Sequence, residues 1–380
     1  MRVLVVIDSL AVGGAERSLA SMAPHLVRMG VDLHTAYLKP ELTLGDDLVD
    51  AGVTIHSAAG YGGRVGNVTR LNKLLRQLRP DLVHTTLFEA DFAGRLASRL
   101  AGVPVVSSFV SEAYGPEHVH NPEYRAWKVR GARLADAATA RLASRFHAVS
   151  ASTGDLMRRR LRVPNHEIVV VPRGRDPEYL GVRSPERANR ARETFGLESG
   201  RPLVVAVARH FHMKGLDILL RAFPLVVGSV PEALLVIAGR DGPATPELRQ
   251  LIAEGGMQDN VELVGYRPDV PDLMTAADVM VLPSRAEGSP GALIEAMALE
   301  LPVVASDIPS VRDIAGGEPP SAVLTRLESF EEMSIGITNV LQTPELAAEL
   351  AERGRQRFVD SYTIEAVAER MKSFYEDSVR

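Results

Sequence analysis

Short uninterrupted apolar runs alternate with longer stretches of helical spacing, and the alternation occurs twice along the chain. Runs rich in valine and isoleucine fall at residues 2–7, 31–37, 82–84, 103–107 and 168–171, and again at 203–207, 233–238, 261–264, 279–282 and 303–305. Segments such as 15–28, 71–78, 215–226 and 290–299 fill the gaps at helical spacing. Strands that are apolar on both faces need cover on both faces, and a parallel crossover needs an intervening helix. Each series therefore predicts one doubly wound α/β domain. A length of 380 residues suits two such cores better than one.

Between the series lie Pro172, Gly174, Pro177, Gly181, Pro185, Gly200 and Pro202, which reads as linker chemistry. The expected division is an N-terminal domain over 1–172, a linker over 173–200 and a C-terminal domain over 201–360. The amphipathic tail 361–380, with Ile364, Val367, Met371 and Phe374 on one stripe, is expected to cross back to the first domain. Ligands of open α/β sheets bind outside the carboxyl ends of the strands. With two domains, that places the site in the cleft between them.

Composition narrows the chemistry. The chain has no cysteine, which removes disulfides, thiolate metal sites and cysteine nucleophiles. No uncharged stretch approaches a bilayer span, and the first apolar run reads as a buried strand rather than a signal peptide. A net charge of −5 makes no case for nucleic acid. Between His120 and Arg162, however, ten Lys or Arg stand against three acids, with Tyr124 and Trp127 among them. Residues 124–162 are an expected contact for an anionic membrane surface, with a solvated basic face as the plainer alternative.

Three loops carry candidate chemistry. Gly13 and Gly14 stand at the entry of a helix, where backbone can approach an anion or a sugar; a plain tight turn reads equally well. Their spacing is not the dinucleotide fingerprint, which disfavours NAD. Arg209 and Lys214 flank a strand-to-helix loop and suit a diphosphate. His210 and His212 in the same loop resemble a metal pair only superficially, since no third ligand cluster stands near. The run RAEGSPGALIEAM places Glu287 in a loop and Glu295 about a turn inside a helix that starts at Pro290 or Gly291. N–H groups at Gly291, Ala292 and Leu293 would meet phosphate, leaving both carboxylates to accept hydrogen bonds from sugar hydroxyls.

GGAER, VARHFHMKG, AVSASTGDLMRRR with VVVPRGRD, and LVGYRPDVPDLMTAADVMVLPSRAEGSPGALIEAMALELPVVASD together resemble the retaining glycosyltransferases of family 4. The resemblance runs from about residue 2 to 376. It implies the GT-B fold, two facing Rossmann-like domains with an interdomain cleft. The implied reaction moves a hexose-type sugar from a UDP-sugar, or a GDP-sugar, to a hydroxyl of a glycan, lipid-linked or small-molecule acceptor. It would need no cofactor and no metal, and would run in the cytoplasm or at the inner face of the membrane. Glu287, Arg209 and Lys214 would be catalytic. Gly13, Gly14, Gly265, Tyr266, Gly288, Ser289, Gly291, Ala292, Leu293 and Glu295 would complete the donor site, with Glu295 on the ribose and the base against Gly265 and Tyr266.

The chain departs from the family in two places. Many members carry a histidine where Val110 stands, and Ser108, Ser111, Glu112, His118 or His120 could substitute at the acceptor; His84 matches a frequent pattern but could be structural. Many members read Asn-Gly where this chain has Arg173-Gly174. Two other functions fit the scaffold, a nucleotide-sugar epimerase and a non-catalytic partner subunit. Retention of Arg209, Lys214, Glu287 and Glu295 together argues against the second.

Overall fold

The computed structural model describes residues 1–111, 113–114 and 126–379. The chain divides into two compact units, one of Met1–Gly174 with Ile364–Arg380 and one of Arg175–Thr363.

The first unit holds a seven-stranded sheet from β1 (Arg2–Ile7), β2 (Asp32–Tyr37), β3 (Thr54–Ser57), β4 (Leu82–Thr86), β5 (Val105–Phe109), β6 (Arg145–Ala148) and β7 (Ile168–Val170). The order is β3-β2-β1-β4-β5-β6-β7 and every pairing is parallel. The helix Ile364–Val379 belongs to this unit. Its stripe Val367, Met371, Phe374 and Tyr375 shares a core with Val3, Val5 and Ile7 of β1.

The second unit holds β8 (Leu203–Val207), β9 (Leu234–Ala238), β10 (Val261–Gly265), β11 (Val279–Leu282), β12 (Val303–Ser306) and β13 (Val323–Thr325), ordered β10-β9-β8-β11-β12-β13. All are parallel. On β8, Leu203 and Val205 enter one core while Val204 and Ala206 enter the other, the period-two alternation of a strand covered on both faces. Each valine or leucine so buried contributes about 1.5–3 kcal/mol.

Three strands escape the apolar-run pattern: Thr54–Ser57, Arg145–Ala148 and Val323–Thr325. They are short, and two carry histidine. In β6 the ring of His147 is buried because hydrogen bonds satisfy both its nitrogens. The segment read as linker is structured from residue 175 onward. Helices Pro177–Leu180 and Pro185–Thr194 form there, capped by the Asp176 and Ser184 side chains, and Leu180 and Ala191 enter the core of the second unit. Both prolines occupy the first helical turn, where a missing N–H costs nothing.

Strand order reverses direction between β1 and β4 in one unit and between β8 and β11 in the other. Connections leave such a switch point on opposite faces and open a crevice at the carboxyl ends. In the second unit, the loops at that crevice are 208–215 and 283–290.

Candidate functional site

The loop after β8 passes Arg209, makes a 3-10 turn at His212–Lys214, and enters helix Leu216–Ser229 through Gly215. Gly215 has φ +64°, and a Cβ there would lie 1.9 Å from the carbonyl oxygen of Pro283. Only glycine allows both the left-handed turn and this contact of the two switch-point loops. Arg285 then ties the loops together. Its backbone N–H donates to Met213 O at 2.9 Å and its Nη1 to His212 O at 2.7 Å. Its guanidinium forks onto Asp217 at 2.7 and 2.8 Å and onto Glu328 at 2.6 and 2.9 Å. Burial pushes the Asp217 carboxyl up, but the hydrogen bonds and charge of Arg285 outweigh it and hold the group below the usual range.

That framework brings Lys214 and Glu287 together. Lys214 Nζ donates to Glu287 Oε1 at 2.6 Å, and the buried Ser284 hydroxyl donates to the same oxygen at 2.8 Å. Glu287 is thus no helix cap. Arg209 is exposed, its guanidinium 5.0 Å from the ring centroid of Phe211.

The helix expected at Pro290 or Gly291 runs Gly291–Ala298, and no side chain among the described residues caps its start. Gly288, Ser289 and Pro290 lead into it. The Ser289 hydroxyl is buried and makes no hydrogen bond among the described residues. Ala292 is half-buried, and the Leu293 side chain lies in the core, so its backbone N–H is what it can offer. Glu295 accepts from Arg175 Nε at 2.6 Å, a partner the sequence reading passed over. Gly265 ends β10 with φ +67°, its carbonyl accepting from Gly239 N–H at 2.8 Å. Tyr266 is exposed, with the Arg240 guanidinium 4.7 Å over its ring. His210 is buried against Thr245 at 3.0 Å, and no metal-holding group of three or more His, Cys, Asp or Glu occurs among the described residues.

Gly13 and Gly14 belong to the other unit, at the start of helix Gly14–Arg28. A Cβ on Gly13 would meet Glu16 Oε2 at 2.2 Å, and one on Gly14 would meet Arg173 Nη1 at 2.8 Å. The paired glycines therefore make room for a carboxylate and a guanidinium as well as for a turn. Burial pushes the Glu16 carboxyl up. Arg173, which stands where the family often has asparagine, also reaches Val110 O at 3.5 Å.

Of the acceptor candidates, Ser111 is exposed, whereas Glu112, His118 and His120 lie outside the described residues. Ser108 is buried between two histidines. His147 Nε2 faces the Val171 carbonyl at 2.8 Å and so carries the proton, leaving Nδ1 to accept from Ser108 at 2.7 Å. Ser108 in turn accepts from His84 Nε2 at 2.6 Å, and His84 Nδ1 accepts from Tyr375 OH at 2.8 Å. His84 is thereby a structural link to the C-terminal helix. Burial pushes His84 down to about 3 and His147 to about 4.

Two doubly wound parallel-sheet units, with basic and acidic side chains meeting at the switch point of the second, are the architecture of a GT-B glycosyltransferase. The description "Glycosyl transferases group 1" matches residues 188–357 and "Glycosyltransferase Family 4" matches residues 12–179, and the chain belongs to this family. It is 27% identical to alpha-D-kanosaminyltransferase of Streptomyces kanamyceticus, over 99% of this chain and 98% of that one. It is 25% identical, over 81% and 78%, to the Escherichia coli UDP-Gal:alpha-D-GlcNAc-diphosphoundecaprenol alpha-1,3-galactosyltransferase. The Anabaena protein HepE, solved with UDP, superposes at a TM-score of 0.86 with 20% identity, covering 99% of this chain and all of that one.

Proposed function

We propose that this enzyme transfers a hexose-type sugar from a UDP-sugar, ahead of a GDP-sugar, to a hydroxyl of a glycan, lipid-linked or small-molecule acceptor, with retention and without a metal. The observation that carries the reading is the Lys214–Glu287 contact of 2.6 Å at the switch point, beside a helix start that no described side chain caps. Phosphate on that helix start would meet N–H groups at Gly291, Ala292 and Leu293, with Arg209 and Lys214 supplying positive charge. Glu287 would accept from hydroxyls of the sugar that moves, and Glu295 from the ribose. Gly265 and Tyr266 would flank the base.

In the reaction, the bond from C1 to the phosphate oxygen breaks and a bond from C1 to the acceptor oxygen forms on the same face. The acceptor proton passes to the leaving phosphate oxygen, so the chain need supply no base. Arg209 and Lys214 stabilise the negative charge growing on the diphosphate, an electrostatic contribution preorganised by the loop weld. The E. coli relative named for a UDP-galactose donor and a diphosphoundecaprenol acceptor, and the neighbour solved with UDP, support the donor class. The kanosaminyl relative supports sugar transfer without naming an acceptor. Neither the epimerase nor the silent-subunit reading finds support in these likenesses.

The test is a nucleotide-sugar thermal-shift screen followed by transfer assays, with the anomeric configuration of the product read by NMR. Inversion at C1 would overturn the retaining reading, and transfer abolished by chelator and restored by a divalent cation would overturn metal independence. A cytoplasmic enzyme working at the inner membrane face is part of the proposal. Exposed Trp127 and Leu134 beside Lys128, Arg130 and Arg133 support it. No helix among the described residues is long and apolar enough to cross a membrane. Absence of co-sedimentation with anionic liposomes at low salt would remove the membrane contact.

A further inference from the structure

Gly291 opens its helix without a positive φ, so the conformational freedom of glycine is not what this position uses. What the missing side chain makes room for is Arg175. A Cβ on Gly291 would lie 1.8 Å from Arg175 Nη2 and 3.0 Å from its Cζ. The same guanidinium donates through Nε to Glu295, four residues further along the helix, at 2.6 Å. Its backbone is held in place, Arg175 N–H donating to Tyr362 O at 2.9 Å beside a bridge to Thr363.

A cation at a helix N-terminus sits at the wrong end of the peptide dipoles, and it is unfavourable there unless negative charge accompanies it. Glu295 supplies part of that charge. The helix start, which no described side chain caps, and the buried Ser289 hydroxyl, without a hydrogen bond among the described residues, are further hydrogen-bond donors whose needs an anion would meet.

Resting on the donor-site reading above, we propose that Arg175 is a donor-binding residue of this enzyme. Its Nη groups grip the nucleotide diphosphate at the start of helix Gly291–Ala298, while its Nε holds Glu295 toward the ribose. Gly291 is the sequence mark of that arrangement, because any side chain there would displace the guanidinium.

Calorimetric titration of UDP, and of uridine by competition, into the full-length wild type, Arg175→Val, Arg175→Lys and Gly291→Ala tests this. GDP and guanosine replace them if the wild type prefers a purine. The expected result is a roughly tenfold or greater loss of UDP affinity in Arg175→Val, the scale of one charge-assisted hydrogen bond to phosphate. Uridine affinity should fall by less than about threefold, since uridine lacks the phosphate contact and loses only the positioning of Glu295 on its ribose. Gly291→Ala should reproduce the loss without removing any charge, and Arg175→Lys should recover part of it. Unchanged UDP affinity in Arg175→Val, or equal losses for UDP and uridine, would overturn the proposal. A wild type that binds neither UDP nor GDP would refute the donor reading itself, whereas normal wild-type binding with an unaffected variant refutes only the role of Arg175.

Discussion

Replacing Arg285 by methionine should reveal how much of the donor loop depends on one guanidinium. The Arg285 side chain is 15% exposed and Asp217 is 9% exposed, so the fork between them is largely shielded from water, while Glu328 at 54% is not. Removing one partner of a buried pair costs about 3–5 kcal/mol, because the remaining charge stays buried and unpaired. The Glu328 arm should add only about 0–1 kcal/mol. The residual exposure places the expected loss near the lower bound, about 3 kcal/mol. It should appear in urea unfolding at neutral pH and shrink in acid: the Asp217 folded-state pKa is depressed, so its stabilisation is fully present above the ordinary aspartate range and is lost as pH falls below that range through the depressed folded-state pKa. Because the Arg285 side chain also holds the His212 carbonyl, the KM for the donor should rise along with the stability loss. Asp217→Asn completes a double-mutant cycle. A coupling below about 0.5 kcal/mol, or a loss under about 1 kcal/mol in Arg285→Met, would refute the argument that the pair welds the loops.

Gly215→Ala should cost about 3 kcal/mol or more, since the new methyl would overlap the Pro283 carbonyl and neither atom is a movable side-chain end; a loss near zero by chemical unfolding would show that the loops separate freely. Glu287→Ala and Lys214→Ala should each slow transfer by roughly 100-fold or more, the scale of removing one preorganised charged contact, and parental rates in either would sink the role given to that residue. Acid should destabilise the first unit through its buried histidines. Their folded pKa values are depressed, so as pH falls below 6.5 the unfolded chain takes up protons that the folded one refuses until about 3 to 4. The slope rises toward about 1.4 kcal/mol per pH unit for each histidine as the unfolded chain becomes fully protonated, so the pair's contribution should fall by roughly 3 kcal/mol between pH 6.5 and 5. His147→Gln, which cannot titrate, should remove about 1.4 kcal/mol per pH unit from the slope; an unchanged slope would contradict the assignment. Burial pushes Asp91 up and acts in the opposite direction, but it does so in both proteins and cancels from the comparison.

The chain's periodicity determined a good deal by itself. Runs of valine and isoleucine can be buried on both faces only in parallel sheets, so two doubly wound units follow from pattern and from the need to cover apolar surface. Motif spacing located Arg209, Lys214, Glu287 and Glu295 on loops and helix starts at the strand ends, because strand-turn-helix order is a local property. Prolines at 177 and 185 misled, since proline serves a helix's first turn as readily as a linker, and only packing of Leu180 and Ala191 into a core distinguishes the two. Partner identity was decided by tertiary structure alone. Arg285 lies 68 residues from Asp217 and Arg175 lies 120 from Glu295, and no local pattern carries information over such separations. The sequence shows Gly215 and Gly291 as two helix-entry glycines of similar meaning. The fold distinguishes them: one yields to a carbonyl across the crevice and the other to a guanidinium, because excluded volume exists only once distant segments have met.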